Sequence, residues 1–318
     1  MEQKNFDPDG VGVDNGTYFG LPFAPETAEL VLISAPWDVT VSYGAGAAYA
    51  PDAIIEASTQ LDFHDPLAPG VWRRGIATAD VDYSLLESSQ RLRADAARVI
   101  DHLEGGGCLE DDYVVRKVRR VNEGCMSMNA NIGAQAARWL DAGKTVGLVG
   151  GDHSTPYGLI RALGDRHGEF GILHIDAHCD LRDAYEGFEF SHASIMFNVL
   201  RDVPSVKKIA QVAVRDFSGT EAALAASSAR VATFDDLSLA AAMFRGETWD
   251  ALCRRIVDAL PQEVYVSFDI DGLTFENCPH TGTPVCGGLT FNQAVWLLDT
   301  LVRSGRRIIG FDVVEVVP

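Results

Sequence analysis

Two stretches decide the fold: Thr145-Val-Gly-Leu-Val149, running into Gly150-Gly151-Asp152-His153-Ser154, and Phe170-Gly-Ile-Leu-His-Ile175, running into Asp176-Ala177-His178-Cys179-Asp180. Each is a short apolar run closed by a polar cluster. Continuous apolar runs of this length, bounded by turn residues, read as strands buried on both faces. Working outward, further runs occur at Ala28–Ile33, Lys208–Val214, Val264–Ile270 and Arg307–Val314. Helical patterns separate them at Pro51–Gln60, 87–103, 120–142, Pro156–Leu163, His192–Leu200, Gly219–Ala226, Thr248–Leu260 and Asn292–Val302. Strand–helix alternation predicts an α/β fold: a mostly parallel sheet with helices on both faces. Ligands of such sheets bind in the loops at the carboxyl ends of the strands, where both polar clusters fall.

Residues 1–27 are rich in Gly, Pro and Asp and read as an extended N-terminal arm. Residues 28–318 carry no convincing linker or repeat and read as one domain. Of the 318 residues 47% are hydrophobic, enough for a sizeable core. The formal net charge of −19 argues against sequence-independent nucleic-acid binding, which needs a basic surface. No stretch approaches the ~20 apolar residues of a membrane span. The first twenty residues lack the apolar segment of a signal peptide. The six cysteines form no CxxC pair, which reads as reduced thiols in a cytoplasmic protein.

The chemistry is carried by three segments: Gly150–Ser154, Asp176–Asp180, and Asp269-Ile270-Asp271 inside VYVSFDIDGL. In extended backbone, residues i, i+2 and i+4 share a side, so Asp176, His178 and Asp180 are expected to converge, as are Asp269 and Asp271. Each segment has a plainer reading. A lone DxD is common, and GGDHS by itself is a tight turn with Ser154 capping a helix. It lacks the GK[ST] ending of a phosphate-binding loop. Together, four carboxylates at the end of an apolar sheet would repel one another unless a positive group neutralised them. A pair of divalent cations does this economically, and carboxylate-rich donors with only two imidazoles favour a harder ion such as Mn2+.

In this order GGDHS, DAHCD, SFDIDGL, GTPVCGGLT and FDVVEV resemble the ureohydrolases, that is arginase, agmatinase and their relatives, from about Leu30 onward. The resemblance implies the three-layer α/β/α arginase fold and two metal ions, usually Mn2+, with Ni2+ in some members. It implies one ion on His153, Asp176, Asp180 and Asp269. The second would sit on His178, Asp176, Asp269 and Asp271. Asp180 would also hydrogen-bond the attacking hydroxide, His192 in FSHAS would shuttle a proton to the leaving amine, and Glu315 would bind the guanidinium. His174 is expected beside the ligands or in the core, Cys179 turned away from them, and Asp152 and Ser154 as supports. Thr283, Pro284, Gly287 and Gly288 are expected to shape the mouth.

The implied reaction releases urea and an amine from a small guanidino compound. The segments WDVTVSYGAGAAYAPDAIIEAS and LRDAYEGFEFSHAS look agmatinase-like, and the acidic balance suits the dication agmatine. Free guanidine, a guanidino acid and formiminoglutamate are the alternatives, and a non-catalytic subunit of the same fold is a rival. A deacetylase of related fold would need a different Zn2+ site. The resemblance also implies a trimer or hexamer. Its members usually continue past the glutamate motif with a closing helix, whereas this chain ends at Pro318, so the shell around Glu315 is expected to be loose. The arm and an insertion around Gly105–Asn131 point to a divergent branch.

Overall fold

The structure is a computed structural model and describes residues 6–318. Its strands are β1 (Leu30–Ala35), β2 (Ile76–Thr78), β3 (Thr145–Gly150) and β4 (Phe170–Ile175). They continue with β5 (Val206–Val212), β6 (Val231–Phe234), β7 (Glu263–Asp269) and β8 (Arg307–Val314). All lie in one sheet, ordered β2-β1-β3-β8-β7-β4-β5-β6, and every neighbouring pair is parallel. Parallel neighbours need long crossovers, and here helices supply them. These are α1 (Ala50–Ser58), α2 (Tyr83–Glu104), α3 (Asp112–Asp141), α4 (Tyr157–Gly164) and α5 (Ile195–Asp202). The rest are α6 (Gly219–Ser227), α7 (Asp236–Phe244), α8 (Trp249–Asp258) and α9 (Phe291–Arg303).

Alternation along the strands builds the three layers. In β4, Phe170 and Ile172 pack with α3, α4 and α5, while Leu173 and Ile175 pack with α8 and α9. In β7, Tyr265 joins the first cluster while Val264 and Val266 join the second. All six β4 residues are buried, as a central parallel strand requires. The expected α/β/α architecture is present.

Differences from the sequence reading lie where periodicity had little to work on. β2 and β6 span three and four residues, too short for a pattern, and α7 was also not expected. The supposed insertion at 105–131 is largely α3, a 30-residue helix packed against α2. The N-terminal segment is docked rather than simply extended. Its Tyr18 is 1% exposed, with its hydroxyl 2.8 Å from Ser34 Oγ, and Phe19 N donates to Ser58 Oγ.

The expected looseness after β8 is overturned. Glu315 N donates to the Gly151 carbonyl and Val317 N to that of His280, and Val316 bridges Thr281. Two loops from elsewhere in the fold thus hold the residues that follow β8. Among the described residues, no helix is long and apolar enough to cross a membrane.

Phe170, fully buried at the base of β4, tests the layer packing: Phe170→Ala should lower unfolding free energy in urea by about 3–5 kcal/mol. Tyr18→Phe should cost about 1 kcal/mol through the lost Ser34 hydrogen bond, and no change there would mean the arm does not dock.

Candidate active site

β3 leads into the first cluster through a turn that only glycine permits. A Cβ on Gly151 would lie 1.8 Å from the Trp37 carbonyl oxygen. The chain then reverses as Asp152 N donates to that carbonyl and Asp152 Oδ1 accepts from Ser154 N and Oγ. Ser154 therefore pairs with Asp152 within the turn and caps no helix; α4 begins after Pro156. The turn presents His153, 1% exposed.

His153 Nδ1 lies 2.9 Å from Asp176 Oδ2, 3.1 Å from Asp180 Oδ2 and 3.2 Å from Asp269 Oδ2. None of the three meets it with hydrogen-bond geometry, so the atom is buried and unpartnered. On the far side of the ring, Nε2 lies 2.9 Å from Ser267 Oγ. The Ser267 hydroxyl donates to Asp312 Oδ1 at 3.2 Å, so its oxygen accepts from the Nε2 proton. This chain fixes the ring and aims Nδ1 into the carboxylates, as outer partners of metal-bound histidines do.

The other clusters converge by turning, contrary to the extended geometry expected. β4 ends at Ile175, and Asp176 Oδ1 accepts from His178 N. Asp180 takes a left-handed φ of 53°, which folds its carboxylate back towards Asp176. Asp269 Oδ1 accepts from Asp271 N as β7 enters a helical turn over Ile270–Gly272. That turn sends Asp271 to Ala177 N through Oδ1 and to within 3.1 Å of His178 Nδ1 through Oδ2. Consecutive strand ends crowd the site, so straight extended chains would collide there.

Two groups of ligand atoms result, each within 4.8 Å: His153, His174, Asp176 and Asp180, and Asp176, His178 and Asp271. Asp176 belongs to both, and Asp269 adjoins the first through His153. His174, fully buried, contacts Asp176 Oδ2 at 2.8 Å. Cys179 is buried in the core and turns away, as expected.

The electrostatics describe a site short of positive charge. Burial, then Asp271 and Asp176, pushes Asp269 well above the ordinary carboxylate range. Burial and Asp176 move Asp180 up to about 6. Burial opposes charge on Asp176, but His174, His153 and His178 hold it well below its usual value. Burial favours neutral histidines, yet the acids push His178 up to about 12 and His153 well above its usual range. Protons on imidazoles thus balance the acids where a cation would serve better, since a divalent ion displaces the proton and uses the freed lone pair. The unpartnered Nδ1 among carboxylate oxygens fits such an ion.

His153, His178, Asp180 and Asp269 floor a cavity of about 420 Å³, walled by Tyr43, Arg182, Tyr185, His192, Asp216, Thr283, Pro284 and Glu315 among others. Glu315 is 4% exposed, and its Oε1 accepts from His153 N. His192 N donates to Thr40 Oγ1. Thr283 and Pro284 line the mouth as expected. Gly287 and Gly288 brace the loop behind it, where Gly288 N donates to Asp236. Sequence reasoning missed Ser267 and Asp312. The signal was present, since Ser267 lies two residues before Asp269 and Asp312 lies inside FDVVEV, but their cross-strand pairing belongs to the sheet.

A parallel α/β/α sheet with an acid–imidazole cluster able to bind metal at its carboxyl edge defines a class of metallohydrolase. The chain belongs to the Arginase family, whose model matches residues 28–318. It is 31% identical over 302 residues to the N(1)-aminopropylagmatine ureohydrolase of Thermus thermophilus, covering 94% of this chain and 87% of that one. Identity to the agmatinase of Serratia proteamaculans is 30% over 307 residues, covering 94% and 84%. The fold is similar to proclavaminate amidino hydrolase from Streptomyces clavuligerus (TM-score 0.72, 22% identity, 98% and 91% covered). It is also similar to the agmatine ureohydrolase of Thermoplasma volcanium (TM-score 0.68, 22% identity, 93% and 84% covered).

Titrating metal-free protein with Mn2+ should raise the Tm, with stabilisation reaching about 4 kcal/mol at a thousandfold excess over Kd. Asp176→Asn, at the residue common to both groups, should abolish most of that rise in calorimetry.

Proposed function

We propose that the chain hydrolyses a guanidino compound to urea and an amine, with agmatine the first candidate substrate and Mn2+ the resident ion. The supporting observation is one cavity that has His153, His178, Asp180 and Asp269 at its floor, Asp176 and Asp271 packed against them, and the buried carboxylate of Glu315 in its wall. His153, Asp176, Asp180 and Asp269 would hold one ion, and His178, Asp176, Asp269 and Asp271 the other. The donor set, four carboxylates and two imidazoles, suits Mn2+, with Ni2+ the alternative. When bound, the pair supplies Lewis-acid stabilisation and a water deprotonated at neutral pH.

The chain's own residues orient the rest. Glu315 has one oxygen committed to His153 N, which leaves the second for the planar substrate cation. Burial and then Asp152 raise Glu315 well above its usual range, so an incoming guanidinium restores its charge through charge-assisted hydrogen bonds. Asp180 would accept a hydrogen bond from the attacking water. Burial, then the His178 and His153 rings, pushes His192 down to about 3. Its imidazole is therefore neutral at rest and a weak base, so passing a proton to the leaving amine would require the bound substrate to raise that pKa towards neutrality.

The agmatine reading is supported by relatives named for agmatine-type substrates and by the acidic charge balance. Six free thiols support a reducing, cytoplasmic location. Exposed Leu237, Phe244, Phe291 and Trp296 support a homo-oligomer, for which the family resemblance implies a trimer or hexamer.

The test is urea release by Mn2+-loaded enzyme from agmatine, guanidinobutyrate, arginine and free guanidine, repeated with Ni2+. Agmatine should lead, and silence across the panel would favour a non-catalytic role. Glu315→Gln should lower kcat/KM by roughly two to four orders of magnitude, the loss of about 3–5 kcal/mol expected when one partner of a buried ion pair is removed. Metal content should be retained in that variant, separating guanidinium binding from loss of the centre.

A further inference from the structure

We propose that Asp216 selects the substrate by taking a second positive charge, carried beyond the guanidinium, at the mouth of the cavity. This rests on the amidinohydrolase reading above and assigns a residue to the specificity of that site. The cavity lining contains one arginine, Arg182, and five carboxylates: Asp180, Asp216, Glu221, Asp269 and Glu315. Asp180 and Asp269 belong to the metal cluster, and Glu315 faces the guanidinium. Glu221, 3% exposed, lies 3.5 Å from Arg182 through Oε2 and Nε. Arg182 is occupied on its other side, its guanidinium 4.6 Å above the Tyr185 ring. One carboxylate remains without a counter-charge in the lining, and it is Asp216.

Its placement follows from the backbone. Asp216 N donates to the Ala177 carbonyl, and the residue bridges His178, so it sits at the edge of the metal floor yet is exposed to solvent. The adjacent Arg215 does not neutralise it. That guanidinium is turned inward, donating to the carbonyls of Ala213, Asp271, Leu273 and Val285. Tyr43, 81% exposed and also lining the cavity, offers an aromatic wall for the connecting methylenes. A cationic tail therefore meets an unopposed acid, whereas a carboxylate tail meets repulsion and an arginine already paired.

The experiment compares agmatine, 1-butylguanidine and 4-guanidinobutyrate, which share a four-carbon reach and end in a positive, neutral and negative group. Wild-type kcat/KM should fall in that order. Asp216→Asn should shrink the ratio of agmatine to butylguanidine about fivefold, the scale of a partly exposed ion pair, and raise guanidinobutyrate relative to butylguanidine. Added salt should shrink the wild-type ratio in the same sense. An unchanged ratio in the variant, or a wild type that prefers guanidinobutyrate, would overturn the assignment while urea release upheld the reaction. Metal content measured alongside decides the remaining case: equal losses on all three substrates together with lost metal would make Asp216 a support for His178, and would also overturn it. No urea from any of the three with wild type would sink the functional reading itself, and the assignment with it.

Discussion

Asp176, Asp180, Asp269 and Asp271 are each no more than 5% exposed and share one corner of the molecule. Burying like charges together is costly unless a positive group lies among them. The neighbourhood is organised around that demand. His153 points Nδ1 at Asp176, Asp180 and Asp269, His178 contacts Asp176 and Asp271, and His174 braces Asp176. Imidazoles alone answer the demand only by holding protons at pH values where histidine is normally neutral. A pair of divalent cations held by these side chains would answer it without those protons, and would supply the chemistry that lowers the pKa of bound water. Stability of the corner and chemistry thus share one cause.

The sheet makes such crowding possible. β8, β7 and β4 are adjacent, with β3 on the other side of β8, so four carboxyl ends open onto one crevice. Their interiors are nearly all apolar, and this confines polar side chains to the ends. Close approach then requires small residues. Gly151 lets the turn after β3 rest on the Trp37 carbonyl, and a Cβ on Gly272 would press on Asp176 N at 2.8 Å. These glycines are where the backbone yields so that the carboxylates can meet.

The outer wall is assembled from segments distant in sequence. Glu315 follows β8 in a left-handed conformation, φ 65°, tied to Gly151 and His153 on one side. Beyond it, Val316 and Val317 are held by Thr281 and His280. The loop carrying Thr283 and Pro284 is thereby fixed against the Glu315 carboxylate, and Gly44 N reaches the Gly282 carbonyl from the opposite rim. Residues of the cavity wall therefore sit on loops whose ends are pinned by strands, which gives them defined positions without secondary structure of their own.

The sequence by itself determined the class of fold, because buried parallel strands must be continuously apolar and so reveal themselves without neighbours. It also singled out His153, Asp176, His178, Asp180, Asp269 and Asp271, acids and histidines just past such strands, which the fold brings to one corner, while His174 joins them from inside β4. Tertiary structure alone decided how they meet. Asp180 and Asp271 reach the cluster through a left-handed residue and a helical turn, local conformations that strand spacing does not foretell. Ser267 and Asp312 become a hydrogen-bonded relay only when β7 pairs with β8, and short β2 and β6 exist only because longer strands offer them an edge. Asp216 emerges as the uncompensated acid only once Arg182 is seen beside Glu221 and Arg215 is seen turned inward. Residue type and local order record what each segment can do. Pairing across the sheet is long-range, so the assignment of partners resides in the folded chain.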